Sequence, residues 1–170
     1  MSVIIPIHQG RATVLQTALT SISRQPLGLS ECVEVIVVQD GEDDGGDEVT
    51  KRFRDLNIKY LSSNASHGIS ASRNRGIQVA EAPLVLLLDS DDFLVESCVE
   101  QILSFAKDEP SNDFYYSNSQ RFYECQGFSL AFPSFLTFAI ACMRNVEGHG
   151  STLSSARYLL GMRLQLGGSC

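Results

Sequence analysis

The sequence predicts an α/β fold, a doubly wound, mostly parallel sheet flanked by helices, on three observations. Short apolar runs alternate with helix-periodic stretches through the first two thirds of the 170 residues. The run Leu84-Val85-Leu86-Leu87-Leu88 leaves no polar face for solvent, as a strand covered on both sides requires. It stops abruptly at Asp89-Ser90-Asp91-Asp92, and such sheets bind ligands at the carboxyl ends of their strands.

The first strand is predicted over residues 2–7, entered directly at Ser2-Val3-Ile4-Ile5. A helix follows over 11–24, where Val14, Leu15, Ala18, Leu19 and Ile22 recur at helical spacing and Pro26 with Gly28 ends the pattern. Further strands are predicted over 33–38, 58–61 and 83–88. Short helical crossovers lie between them at 47–56 and 70–80, and another helix lies around 96–107. The connections should have the right-handed sense of parallel βαβ units.

After Glu109-Pro110 the texture changes to a Tyr/Phe-rich, strand-like piece over 113–118, then to a charge-free stretch from Cys125 to Met143. That stretch is near the minimum length for a membrane span, but Gln126, Ser129, Pro133, Ser134 and Thr137 interrupt it. It reads as an interfacial or buried segment rather than a span. A last helix is expected at 154–166.

Composition narrows the function. A hydrophobic content of 44% with mean hydropathy near zero fits one globular domain, and no repeat or low-complexity tract interrupts it. A net charge of −7 without any dense Lys/Arg cluster argues against nucleic acid as a partner. Cys32, Cys98, Cys125, Cys142 and Cys170 lack metal-ligand spacing and read as reduced, mostly buried thiols of a cytoplasmic protein. No basic leader precedes the first strand, so no export is expected.

Three loops carry the chemistry. Three acids within Asp89–Asp92 repel one another unless a cation sits among them, and their oxygens suit Mg²⁺ or Mn²⁺; a solvated acidic turn capping the next helix is the alternative. The second strand runs into Gln39-Asp40-Gly41-Glu42-Asp43-Asp44-Gly45-Gly46, where an acid can accept hydrogen bonds from a base or ribose, although Asp-Gly turns are commonplace. The segment from Ser63 to Gly76 opens a helix whose amino end favours anions and carries Arg73 and Arg75, which could pair with phosphate or be surface charges. His8, His67 and His149 are open to acid–base or structural roles, and Tyr115, Tyr116 and Phe122 to sugar stacking or core packing.

Together, Ser2-Val3-Ile4-Ile5-Pro6, Val35-Ile36-Val37-Val38-Gln39-Asp40-Gly41, Gly68 with Ala71-Ser72-Arg73-Asn74-Arg75-Gly76-Ile77, and Leu88-Asp89-Ser90-Asp91-Asp92 closely resemble the family 2 glycosyltransferases, enzymes of GT-A fold that use nucleotide-diphosphate sugars. The resemblance spans roughly residues 2–107. It implies that Asp40 reads the nucleobase, usually uracil; that Pro6 and His8 line the base pocket; and that Arg73 contacts the nucleotide. It further implies a DxD pair in which Asp89 lies near the ribose and metal and Asp91 is a direct ligand of Mn²⁺ or Mg²⁺. Asp92 is a neighbouring acid with no role carried over.

The pattern is departed from in places. Gln39-Asp40-Gly41-Glu42 stands where the family commonly reads Asp-Asp-Gly-Ser, and His8-Gln9 replaces a Tyr-Asn-like pair. Downstream, the family normally supplies an acceptor-binding half with a catalytic base, often in an acidic pair. The only acid after Glu124 is Glu147, the remaining candidate for the base or else a loop charge.

The resemblance therefore implies a metal-dependent, inverting transfer from a UDP-sugar to a saccharide, lipid or protein acceptor. Residues 1–110 would form the nucleotide-sugar half and 111–170 a partial acceptor-side segment of the same domain, in a short or truncated member. A nucleotide-sugar-binding module without competent acceptor chemistry is the alternative. The charge-free stretch needs cover from the first half, from a second copy of the chain, or from peripheral contact with the inner face of a membrane. A nucleotidyltransferase is disfavoured because Pro6-Ile7-His8-Gln9-Gly10-Arg11 lacks a Gly-rich, Lys/Arg-containing phosphate loop, and a dinucleotide-binding domain because no GxGxxG follows the first strand.

Overall fold

A computed structural model describes residues 1–26, 32–112, 114–116, 120–125, 128–133 and 141–144. Strand β1 (Ser2–His8) leads through α1 (Ala12–Ser23) to β2 (Glu34–Asp40), and α2 (Gly46–Thr50) leads to β3 (Asn57–Leu61). Helix α3 (Ile69–Val79) then crosses to β4 (Leu84–Leu87), followed by α4 (Cys98–Asp108) and β5 (Phe114–Tyr116). Strands β6 (Gln120–Cys125) and β7 (Phe128–Pro133) form a separate antiparallel hairpin, and β8 (Ala141–Arg144) returns to the main sheet.

The main sheet has the order β3-β2-β1-β4-β8-β5. Strands β3, β2, β1 and β4 are parallel, and β8 runs antiparallel between β4 and β5. Alternation along each strand divides the apolar residues between two faces. Val3, Ile5, Ile7, Val35, Val37, Leu86 and Leu88 form one core with Leu15, Ala18, Leu19 and Ile22 of α1 and Val99, Ile102 and Ala106 of α4. Ile4, Ile36, Val38 and Val85 form the other, beneath Ile77 of α3. Each fully buried Ile or Leu contributes about 1.5–3 kcal/mol, so the two faces together specify which way every strand is turned.

Helix α3 lies close to the sheet because Gly76 has no side chain: a Cβ there would come within 2.5 Å of Ile4 Cγ2. At the amino ends of the strands, Ser2 Oγ and the Glu81 N–H donate to Glu34 Oε2 across 2.5 and 3.1 Å, and Lys59 Nζ lies 2.6 Å from Glu34 Oε1. This network ties β1, β2, β3 and the approach to β4 at the pole opposite the ligand-binding ends.

Through α4 the predicted strands and most of the predicted helices are present with small shifts. Strand β2 continues to Asp40, and β4 stops at Leu87, although the Leu88 N–H still donates to Ile4 O across 3.0 Å. The crossover predicted over 47–56 contains only the short helix α2, followed by turns closed by Phe53 and Leu56 N–H groups. Of the two cysteines whose burial is described, Cys98 is buried against the core, as expected, and Cys32 is exposed on the turn entering β2. Part of the charge-free stretch forms strands, and among the described residues no helix is long and apolar enough to cross a membrane. The helix expected at 154–166, along with Glu147, His149 and Cys170, lies outside the described residues.

Candidate functional site

In a sheet of this order the chain leaves β1 toward β2 on one side and returns beside β1 as β4 on the other. The carboxyl ends of β1 and β4 therefore lie side by side, at the edge of the sheet where α/β folds bind ligands. His8, at the end of β1, is in register with Asp40 at the end of β2. Pro6 lies deeper, buried in β1 opposite Val38. Strand alternation places Pro6, His8 and Asp40 on the face covered by α3. His8 itself is exposed, its Nδ1 within 2.8 Å of Gln9 O.

Asp40 organises the loop that starts α3. Its carboxylate accepts the His67 N–H at 2.6 Å, the Gly68 N–H at 2.9 Å and the Ser66 hydroxyl at 3.0 Å. Burial opposes ionisation, but these donors outweigh it and hold the carboxyl below its ordinary range. Gly68 has φ +87°, in the left-handed region that glycine adopts without a Cβ penalty. That turn aims two successive N–H groups at Asp40 before α3 begins.

Gln39 points to the opposite face and is fully buried. Its Nε2 donates to Glu42 O at 3.0 Å and its Oε1 lies 3.3 Å from the Tyr60 hydroxyl oxygen. An amide suits this position because it both donates and accepts without a charge to desolvate. The departure from the family pattern at Gln39 therefore falls away from the Asp40 face, and Glu42 is exposed.

The acids after β4 meet two arginines. Arg73 Nη2 donates to Asp89 Oδ1 at 2.6 Å, and Arg11 Nη1 donates to Asp91 Oδ2 at 3.0 Å. Asp92, drawn into a turn by its N–H bond to Asp89 O, has its carboxyl pushed up by burial and by the neighbouring Asp89 and Asp91. Arg73 Nε is buried without a hydrogen-bond partner among the described residues. Arg75 Nη2 instead donates to Ser62 O, and the Tyr115 hydroxyl donates to Glu109 O, so both have structural work.

Of the residues singled out from sequence, Asp40 ends β2, Arg73 sits on α3, and Asp89 and Asp91 follow β4, with Arg73 and Asp89 in direct contact. Two contacts with these acids have no sequence signal: Arg11 with Asp91 and Ser66 with Asp40. Among the described residues no three His, Cys, Asp or Glu side chains gather into a metal cage. The oxygen donors of Asp89 and Asp91 nevertheless fit a hard divalent ion, because Mg²⁺-type sites commonly use one or two carboxylates and complete their shell with phosphates and water.

The family model described as "Glycosyl transferase family 2" matches residues 2–154. The chain is 29% identical over 98 residues to the "Putative glycosyltransferase EpsH" of Bacillus subtilis, covering 57% of this chain and 28% of that protein. It is 30% identical over 115 residues to the "Poly(ribitol-phosphate) beta-N-acetylglucosaminyltransferase TarP" of Staphylococcus aureus, covering 66% and 34%. Among solved structures it is similar to S. aureus TarS 1–349 in complex with UDP-GlcNAc, with TM-score 0.60 and 27% identity over 66% of this chain and 32% of that one. The chain thus spans about a third or less of the length of these relatives.

Proposed function

This chain belongs to glycosyl transferase family 2, and on that premise we propose that it transfers a sugar from a UDP-sugar to a saccharide, lipid-linked or protein acceptor, with inversion and with Mn²⁺ or Mg²⁺. The observation that carries the reading is the convergence of Arg73 and Asp89 at the carboxyl end of β4, beside the loop that Asp40 anchors. The relative crystallised with UDP-GlcNAc supports a uridine nucleotide.

Asp40 has acceptor capacity beyond its three loop bonds and would read the base, with Pro6 and His8 lining that pocket. The free Nε donor of Arg73 would bind the diphosphate through a charge-assisted hydrogen bond, more strongly as negative charge grows on the leaving oxygen. A divalent cation held by Asp91, with Asp89 beside it, would supply Lewis-acid stabilisation of the departing diphosphate. Inversion requires one displacement and removal of the acceptor's proton, a role for which Glu147 is the candidate. Residues 1–110 are the nucleotide-sugar half and 111–170 contribute to the acceptor side. The site would operate in the cytoplasm, at the inner membrane face if the acceptor is lipid-linked.

Calorimetry with UDP, UDP-GlcNAc and GDP, with and without Mn²⁺, tests the reading. UDP should bind more tightly than GDP, and Mn²⁺ should strengthen it in wild type but not in Asp91→Asn. Equal affinity of wild type and variant would remove the metal assignment. Transfer lost in Glu147→Gln would support Glu147 as base, whereas binding without donor turnover would favour a nucleotide-sugar-binding module.

A further inference from the structure

Arg11 and Asp91 lie on adjacent loops, one in the turn after β1 and the other after β4, and their side chains meet at 3.0 Å. The Arg11 backbone is fixed at both ends: its N–H donates to His8 O, and its carbonyl accepts the Leu15 N–H at the start of α1. Only the guanidinium is left to move. With side-chain exposures of 40% and 53%, neither partner is committed by burial. A pair this exposed is worth a factor of about two to five in an equilibrium constant, small enough for a ligand to break. The contrast is Arg73, whose side chain is 22% exposed and whose Nε is buried.

We infer that Arg11 is a partner-exchanging residue, which clasps Asp91 until a divalent cation claims that carboxylate and then turns to a phosphate of the nucleoside diphosphate. This rests on the cation-and-diphosphate reading of the site. A divalent cation on the Asp91 carboxylate would stand a few ångströms from the Arg11 guanidinium and repel it, so the two positive charges compete for one carboxylate. A guanidinium freed there lies among the loops at the carboxyl ends of the strands, where an anion would bind. Cation and nucleotide each have to break the same ion pair, so whichever binds first spares the second that cost. The pair therefore adds positive coupling between the two ligands, and the coupling is reciprocal.

The test measures that coupling in the full chain by calorimetry: UDP affinity with and without Mn²⁺, and Mn²⁺ affinity with and without UDP, in wild type and Arg11→Gln. The enhancement of UDP binding by Mn²⁺ should be about two- to fivefold smaller in Arg11→Gln, and Mn²⁺ alone should bind the variant more tightly. A fixed charge that never changed partners would alter both separate affinities and leave the enhancement factor untouched; that result overturns the inference while the proposed function stands. If wild type binds neither UDP nor Mn²⁺, the proposed function fails and the exchange fails with it.

Discussion

Arg73 Nη2 donates to Asp89 Oδ1 across 2.6 Å, joining the second turn of α3 to the chain just past β4. The contact unites a helix covering one face of the sheet with the end of a central strand. Asp89 remains 41% exposed, so solvent screening limits the pair to about 1 kcal/mol of stability at most. A charge-assisted bond from Arg73 to a bound diphosphate is worth more, about 1.5–3 kcal/mol. Arg73→Ala should therefore weaken UDP binding roughly ten- to a hundredfold while the thermal midpoint barely moves. Undiminished affinity in calorimetry would take Arg73 out of the site.

Acid should destabilise the protein through three carboxylates. Burial raises the pKa of Glu34, Asp40 and Asp43, but hydrogen bonds outweigh it, holding them below ordinary values of 4.5, 3.8 and 3.8. The donors are Lys59 and Ser2 for Glu34, the His67 and Gly68 N–H groups for Asp40, and Tyr60 with the Gly45 and Gly46 N–H groups for Asp43. With depressed folded-state pKa values, the stabilisation is fully present above the ordinary values and is lost as pH falls through the folded ones. Urea unfolding should show stability declining below about pH 4, and the decline should be shallower in Asp40→Asn. An equally steep decline in that variant would show that the Asp40 bonds to the α3 loop contribute nothing.

Gly76→Ala sets two effects against each other. Alanine gains about 1 kcal/mol in helix propensity over glycine. Its Cβ would meet Ile4 Cγ2 at 2.5 Å and two further Ile4 carbons at 3.3 Å, and Ile4 is itself fully buried against Ile36, Val38 and Val85. Overpacking of this kind costs about 1–3 kcal/mol, so the net change should be destabilising. Because α3 carries Arg73, UDP affinity should fall as well. A raised thermal midpoint would mean the helix can lift off the sheet without loss.

Gln25 braces the loop after the acidic cluster. Its Nε2 donates to Ser21 O at 3.1 Å and Val95 O at 3.0 Å, and its Oε1 accepts the Val99 N–H at 3.1 Å. Beside it, Ser21 Oγ accepts the Leu94 N–H at 3.0 Å. Gln25 is 5% exposed, so Gln25→Ala strands buried partners and should cost about 1–3 kcal/mol. Hydrogen exchange at Leu94 and Val99 should quicken in the variant; unchanged protection there would place the brace elsewhere.

Strand and helix positions through α4 are legible from sequence because periodicity reports burial directly: the apolar run ending at Leu88 had to be covered on both faces, and Leu15, Leu19 and Ile22 had to share one side of a helix. Beyond Asp113 the signal weakens. A charge-free stretch is compatible with a membrane surface, a helix or a strand, and only pairing with β4 and β5 identifies Ala141–Arg144 as a strand inside the main sheet.

The sequence by itself determined the α/β class, the parallel strands and the placing of Asp40, Asp89 and Asp91 at or just past the carboxyl ends of strands and of Arg73 on the helix between them, since these follow from local pattern and motif. Tertiary structure alone decided who meets whom. Asp40 bonds to Ser66, His67 and Gly68, Arg73 to Asp89, and Arg11 to Asp91. Those pairings join segments far apart in the chain, and hydrogen bonds and ion pairs act over a few ångströms of space, a distance that no local periodicity encodes until the sheet order has brought the loops together.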